Sequence, residues 1–498
     1  MPVHGRNVLT TYDEILYPTG AFDQTHPSRL ATLAALFGMS PAPVERCRVL
    51  ELGCGAGGNL LPMAEALPGS TFTGIDFAAR AIAQGQAWQA RIGLDNLTLS
   101  CADVLDFEPE PGGYDYIIAH GLYSWVPPAV QDKILAVLRR GLAPDGVGYV
   151  SYNALPGGYL RRAVRDIMRF HTRGIDEPER RLAQARAVAA FVAGGSPEAA
   201  GSYKQVMEAQ RDRIGLLAND YLFHDDLGEH NEALYFHELV ARASRHELQY
   251  LAEAEFADMQ TQAYPPEVRR TLSGAGGIVE QEQYLDFLSG RSFRRTLLVH
   301  DRVELDRKLV GARARLFHFL GNAVPASKDP DVRSDAVERF TNPSGVTMGL
   351  NGPLAKAAMV ILWEHRPCAL SFDELIAAVR ERLGAERGYA GETGEQELGE
   401  LLLAAYGGDM VALHRYQPRV VKVPGERPVA RRLARAQAAE GPEVTDLWHG
   451  NVKVRDARLR QLLTLLDGTR DRAALRETAG EGVEEMLAKL GWMALLES

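Results

Sequence analysis

The segment Glu51-Leu52-Gly53-Cys54-Gly55-Ala56-Gly57-Gly58 sets a carboxylate directly ahead of a run of glycines. Glycines placed there let the backbone turn tightly and approach a ligand with no Cβ in the way. The spacing Gly53-x-Gly55-x-x-Gly58 fits a dinucleotide loop, and Asp76 lies at a distance that suits either of two nucleotide classes. Taken alone, the loop leaves three readings open: a dinucleotide, another adenosine-bearing ligand, or a tight turn that holds nothing.

Carboxylates around the loop separate these readings. Glu51 would offset the positive charge of an amino and a sulfonium group, whereas it would repel a pyrophosphate. Asp76 ends the next apolar run, where its two oxygens can accept from both hydroxyls of a ribose. Cys101-Ala102-Asp103-Val104 ends a third run, and Asp103 there can accept from an adenine amino group. Cys54, Gly55, Gly57, Phe77 and Val104 beside these residues, with His120-Gly121 after a fourth run, complete the candidate cofactor contacts. Asp115 opens that fourth run and reads equally well as an ordinary strand-end residue. Over residues 46–153 the series resembles the motifs of class I S-adenosylmethionine (AdoMet) dependent methyltransferases, which implies AdoMet as the cofactor.

The elements that must position these groups alternate regularly. Strands are expected at Arg48–Leu52, Thr71–Asp76, Leu97–Cys101, Tyr114–Ala119 and Gly148–Tyr152, with helices at Asn59–Leu67, Ala78–Ile92 and Val130–Leu142 between them. Such alternation implies right-handed βαβ units and a mostly parallel α/β sheet of Rossmann-like type. Ligands then bind beyond the carboxyl ends of the strands.

Beyond Asn153 the rhythm changes. Residues 1–155 read as an N-terminal lid and cofactor core, 156–230 as a helical insertion, and 231–303 as a regulatory segment that closes the same sheet. In that closing part, Ala233–Arg245 reads as a helix, and Leu248–Leu251 and Phe293–His300 as strands. Residues 304–423 show helices at Gly352–His365, Ser371–Leu383 and Glu395–Tyr406, the second with a capping box from Ser371 to Glu374. A β-hairpin of Met410–His414 and Arg419–Val423 would make that middle part winged-helix-like. Residues 424–498 read as a linker followed by a C-terminal domain.

At 498 residues the chain should divide into several domains, and its 46% apolar and 24% charged composition is that of a globular protein. A net charge of −10 argues against a nucleic-acid partner, and arginines such as Arg161-Arg162 read as solvated helix faces. Cys47, Cys54, Cys101 and Cys368 form no CxxC pair or metal-ligand cluster, which points to a reducing compartment. With neither a signal-peptide pattern nor an apolar run long enough to span a bilayer, a cytoplasmic location is expected, without stable membrane insertion.

Further segments narrow the resemblance. Tyr12–Pro18, Phe22–Pro27, Ala119–Pro127, Val150–Pro156, Leu222–Asp226, Ala233–Leu239 and Phe293–Leu298 are similar to bacterial methyltransferases that carry a methyltransferase regulatory domain. That group includes rickettsial protein-lysine methyltransferases of outer-membrane proteins. The resemblance implies a helical dimerisation insertion, a middle domain and a C-terminal domain around an open cavity, and a homodimer.

A lysine acceptor must be held in line with the methyl donor and must lose a proton. Aromatic walls with hydroxyl or carbonyl acceptors suit both tasks. Candidates are Tyr12 and Tyr17 in a segment that could fold over the cofactor, Tyr123 after the fourth strand, and Tyr152 and Asn153 at the end of the fifth. His26 reads equally as a helix cap before Pro27, and Trp125 as packing or as a substrate wall. No Asn/Asp-Pro-Pro-aromatic stretch follows the fourth strand, and the one Pro-Cys pair, Pro367-Cys368, lies far outside residues 46–153, which argues against amino-methylating nucleic-acid enzymes and cytosine-C5 enzymes. Alternatives are a small-molecule O- or N-methyltransferase, an AdoMet-sensing regulator, and an NAD-dependent oxidoreductase built on the same loop.

Overall fold

A computed structural model describes residues 19–384 and 392–498. Its centre is an eight-stranded sheet: β1 (Arg48–Leu52), β2 (Thr71–Asp76), β3 (Leu97–Cys101), β4 (Tyr114–Ala119), β5 (Leu142–Ala154), β6 (Ala233–Leu234), β7 (Leu248–Glu253) and β8 (Phe293–His300). The order is β3-β2-β1-β4-β5-β8-β7, with β6 paired to the end of β5. Strands β1 to β5 run parallel, β8 pairs antiparallel with β5, and β7 pairs antiparallel with β8 and so runs with the rest. This is the mixed, mostly parallel sheet of a class I methyltransferase fold. The chain crosses back at β1, so β1 and β4 lie side by side with their carboxyl ends open to a common crevice.

Side-chain alternation divides the core. Val49, Ile118 and Tyr149 point to one face of the sheet, and Leu50, Ile117 and Val150 to the other. Helix Pro128–Gly141 covers the second face with Ile134, Leu135 and Leu138, its first turn started by Pro128. The first face behaves differently. Its apolar cluster runs without a break through helix Pro27–Leu36 and into residues 314–413, where helices Pro353–His365 and Phe372–Leu383 pack. The insertion owns a small core of Val164, Met168, Leu182, Ile214 and Phe223, and the C-terminal unit another around Leu459, Leu462, Leu475 and Leu490.

Several elements differ from the sequence expectation. The helix expected over Ala233–Arg245 begins only at Phe236, because Ala233 and Leu234 extend the sheet by pairing with Asn153 and Ala154. Tyr235 then starts the helix with Glu238 bonding back to its N–H. The fifth strand, expected at Gly148–Tyr152, runs instead from Leu142 to Ala154, with an irregularity between Leu142 and Val147 where the pairing with β4 shifts register. The hairpin expected from Met410–His414 and Arg419–Val423 does not form. Val411–His414 pairs instead with β9 (His318–Gly321), and Val420 makes only a single bridge to Glu497. A ladder with a half-buried strand some ninety residues upstream wins over the local partner that would begin just after Pro418. The capping box of Ser371 and Glu374 is present.

The C-terminal unit combines helices Arg432–Glu440, Ala457–Leu465, Arg472–Ala479 and Val483–Trp492 with a two-stranded wing, Glu443–Thr445 against Asn451–Lys453. No helix among the described residues is long and apolar enough to cross a membrane.

Candidate functional site

The glycine loop after β1 is a cradle. Gly53, Gly55 and Gly57 all adopt φ between 54° and 72°, a region that side-chain-bearing residues rarely occupy. A Cβ on Gly58 would meet Thr19 at 2.7 Å, so the N-terminal segment lies directly over the loop. Asp76 fixes the cradle from β2. One of its carboxylate oxygens accepts from Gly55 N at 2.8 Å, and the other from Ala78 N at 2.8 Å.

Glu51 is buried at the end of β1. Its Oε1 accepts from Asn59 Nδ2 at 2.8 Å, while Oε2 has no hydrogen-bond partner among the described residues. Burial pushes its carboxyl up to about 8, the Asn59 bond acting against this and nearby Asp76 with it. Asp103 follows β3, with Leu105 N donating to its Oδ1 at 2.9 Å. On the β4 side His120 packs against Phe22 with ring centroids 4.1 Å apart. Its Nδ1 lies 3.1 Å from Tyr149 Oη and 3.2 Å from Ser151 Oγ. Burial, aided by Arg295, pulls its pKa down to about 4, so the ring is neutral where a second cation would be unwelcome.

These groups line a cavity of about 690 Å³. Of the expected cofactor residues, Glu51, Gly53, Cys54, Gly55, Asp76, Phe77, Asp103, Val104, His120 and Gly121 all face it. Gly57 does not; it shapes the loop and packs on Leu99. The residues present fit AdoMet. A buried carboxylate oxygen without a partner among the described residues suits a cationic group, the Asp76 carboxylate is an acceptor of the kind a diol needs, and the glycines leave room for close backbone approach.

The expected acceptor residues fare differently. Tyr123 and Tyr152 are wholly buried, edge to face at 6.4 Å within the core under helix Pro128–Gly141, and neither faces the cavity. Asn153 lines a neighbouring polar cavity of about 410 Å³ and donates to Asn231 at 2.8 Å. Tyr12 and Tyr17, and with them the proposed lid, lie outside the described residues. His26 caps helix Pro27–Leu36, its Nδ1 accepting from Ser28 N at 3.1 Å. Trp125 does face the cavity, and its indole N–H has no partner among the described residues.

Sequence reasoning missed much of the far wall: Phe22 and Gln24 from the N-terminal segment, Tyr221 and Asp225 from the end of the insertion, and Phe293 and Arg295 from β8. Phe22 and Asp225 sat inside segments that carried the family resemblance, but nothing in their spacing tied them to the glycine loop. Among the described residues no group of three or more His, Cys, Asp or Glu is arranged to hold a metal ion.

Comparison with known proteins covers nearly the whole chain. Residues 49–146 match a family described as a methyltransferase domain, 218–300 a predicted methyltransferase regulatory domain, and 426–491 the PKMT C-terminal winged helix domain. The uncharacterized protein RP789 of Rickettsia prowazekii is 32% identical over 484 residues, 95% of this chain and 86% of that one. The structure of PKMT2 from Rickettsia typhi in complex with AdoHcy superimposes with a TM-score of 0.85 at 26% identity, covering 96% of this chain and 99% of that one. Trans-aconitate 2-methyltransferase of Deinococcus radiodurans is 29% identical over only 25% of this chain.

Proposed function

The chain belongs to the bacterial class I AdoMet-dependent methyltransferases that carry a regulatory domain and a PKMT winged helix, and from that premise we propose that it methylates protein side chains, lysine first. One observation carries the choice of acceptor. Likeness to PKMT2, a protein lysine methyltransferase, extends over the insertion, the middle part and the C-terminal unit. Likeness to trans-aconitate 2-methyltransferase, which acts on a small molecule, covers only a quarter of the chain.

When bound, AdoMet supplies an electrophilic methyl carbon on a positively charged sulfur. Glu51 would balance the positive charge of the donor, Asp76, which holds the loop in place, would accept from the ribose hydroxyls, and Asp103 would orient the base. Phe22, Trp125 and Phe293 offer aromatic surface to an incoming lysine side chain, and Tyr221 and Asp225 offer oxygen acceptors for its ammonium protons. Neutral His120 helps keep positive charge from accumulating beside the donor.

Incubation with methyl-labelled AdoMet and a native cell-envelope extract tests this reading. Label recovered as methyl-lysine after hydrolysis of the protein fraction is expected, and label confined to small molecules overturns it. The same reading includes a homodimer joined through the insertion, where Phe170, Phe191 and Leu216 stand exposed. Sedimentation at the mass of two chains supports that assembly, and sedimentation at the mass of one at micromolar concentration overturns it.

A further inference from the structure

The wing of the C-terminal unit is turned inward, onto the cofactor core. Its tip, Asp446–Gly450, is a tight turn in which one Asp446 carboxylate oxygen accepts from Trp448 N at 2.9 Å and Gly450 N at 2.7 Å. His449 stands at that tip in the left-handed region, φ 68°, a conformation uncommon for a residue with a Cβ. It is buried, and its Nε2 lies 2.8 Å from Asn59 Oδ1.

Asn59 is the side chain that holds Glu51. Its four hydrogen-bonding positions are all engaged. The amide nitrogen donates to Glu51 Oε1 at 2.8 Å and to Thr25 Oγ1 at 3.0 Å. Its oxygen accepts from Phe22 N at 3.0 Å and from His449 Nε2. Because the Phe22 N–H can only donate, the amide oxygen must face it and the amide cannot flip, so His449 must be the Nε2–H tautomer. Two residues further on, Asn451 pairs with Ala21 in both directions: its Nδ2 donates to Ala21 O at 2.7 Å, and its Oδ1 accepts from Ala21 N at 3.3 Å. The segment so held contributes Gly20 and Phe22 to the cavity wall.

We propose that His449 and Asn451 of the wing are positioning residues of the AdoMet site, acting through Asn59 on Glu51 and through Ala21 on Phe22, so that docking of the C-terminal unit and binding of the cofactor support each other. The coupling is reciprocal by thermodynamic necessity. A docked wing holds the Glu51 carboxylate in place for the cofactor's positive charge. Bound cofactor, by engaging Glu51, holds the wing down through Asn59. A wing used in this way has its tip turned away from any nucleic acid.

The test is His449→Asn, which keeps a residue tolerant of left-handed backbone but too short to reach Asn59. Trp448→Phe serves as the comparison; it removes another bond of the docked tip, from indole Nε1 to Pro367 O at 2.9 Å, without touching Asn59. Calorimetry with AdoMet and with AdoHcy should show affinity about tenfold weaker in His449→Asn and within about twofold of wild type in Trp448→Phe. In a Glu51→Gln background the His449→Asn loss should shrink to less than about twofold, the signature of action through Glu51. Adding AdoHcy should slow amide hydrogen exchange at residues 446–451 in the wild type and leave it unchanged in His449→Asn. The proposal fails if His449→Asn binds as wild type does, if Trp448→Phe loses as much, if the loss persists undiminished with Glu51→Gln, or if AdoHcy leaves wild-type exchange in the wing unaltered.

Discussion

Two walls of one cavity are built in different ways. On the donor side, Glu51, Asp76 and Asp103 stand at or just after the ends of three neighbouring strands, held by hydrogen bonds from Asn59, from Gly55 and Ala78, and from Leu105 respectively. On the far side, Phe22, Trp125, Tyr221, Asp225 and Arg295 arrive from separate segments, among them the end of the helical insertion and an antiparallel strand added late to the sheet. The donor wall is rigid because the β-ladder and backbone N–H bonds fix it. The acceptor wall depends on how the insertion and the N-terminal segment pack. A fixed donor with an adaptable acceptor wall lets one scaffold serve different acceptors.

The sharpest way to break this comparison is Asp76→Ala. Two charge-assisted bonds to backbone N–H groups are lost along with the acceptor for the ribose, so AdoMet affinity should fall by more than about a hundredfold in calorimetry. A modest loss would mean that the donor wall is not held as described.

Glu51→Gln should cost about tenfold in affinity at pH 8, because the charge goes but the shape stays. Its pH dependence sharpens the point. With its carboxyl at about 8, Glu51 is protonated in the free protein near neutrality, and a cationic cofactor favours the ionised form, so binding expels a proton. Affinity should therefore rise between about pH 6 and 8, by at most about tenfold per unit, and Glu51→Gln should flatten that rise. Stability of the free protein moves the other way. The unfolded chain ionises this group first, so its contribution is full below about pH 4.5 and is lost as pH climbs toward 8. Thermal unfolding of wild type and Glu51→Gln across that range measures the difference.

Trp125→Ala probes the opposite wall. The KM for a protein acceptor should rise about tenfold while AdoMet affinity stays within about twofold. Equal losses of both would merge the two walls into one. The smallest effect belongs to Tyr152→Phe, which removes a buried hydroxyl 3.4 Å from Thr296 Oγ1. It should lower stability by about 1 kcal/mol or less in denaturant unfolding, with turnover unchanged.

The same division explains what the residues revealed in advance. β1 to β4 were legible to the residue, because each is a short apolar run that ends in a turn or an acid. The acids at their ends were legible as well, since a strand and the loop after it form one local unit. Tyr123 and Tyr152 show the limit of such reading. Position at a strand end suggested a role in the site, yet Tyr152 shares its face of β5 with Val150, and that face is closed by helix Pro128–Gly141. Phe22, Asp225 and Arg295 were invisible for the complementary reason. Each is brought to the cavity by tertiary packing that no local pattern encodes. The strand Ala233–Leu234 and the pairing of Val411–His414 with His318–Gly321 failed on the same ground, their partners being far away in the chain.

The unbroken apolar cluster from Leu30 to Leu413 also bears on the order of events during synthesis. A nascent chain that has released β1 to β5 still lacks the residues that cover one face of its sheet, and that face stays open until the middle part has left the ribosome. The wing follows later still. A chain caught mid-translation, or clipped after its sheet is complete, would therefore expose apolar surface and lack the bond from His449 to Asn59. The bond that ties Asn59 to the wing thus forms only after the C-terminal unit has folded against the cofactor core.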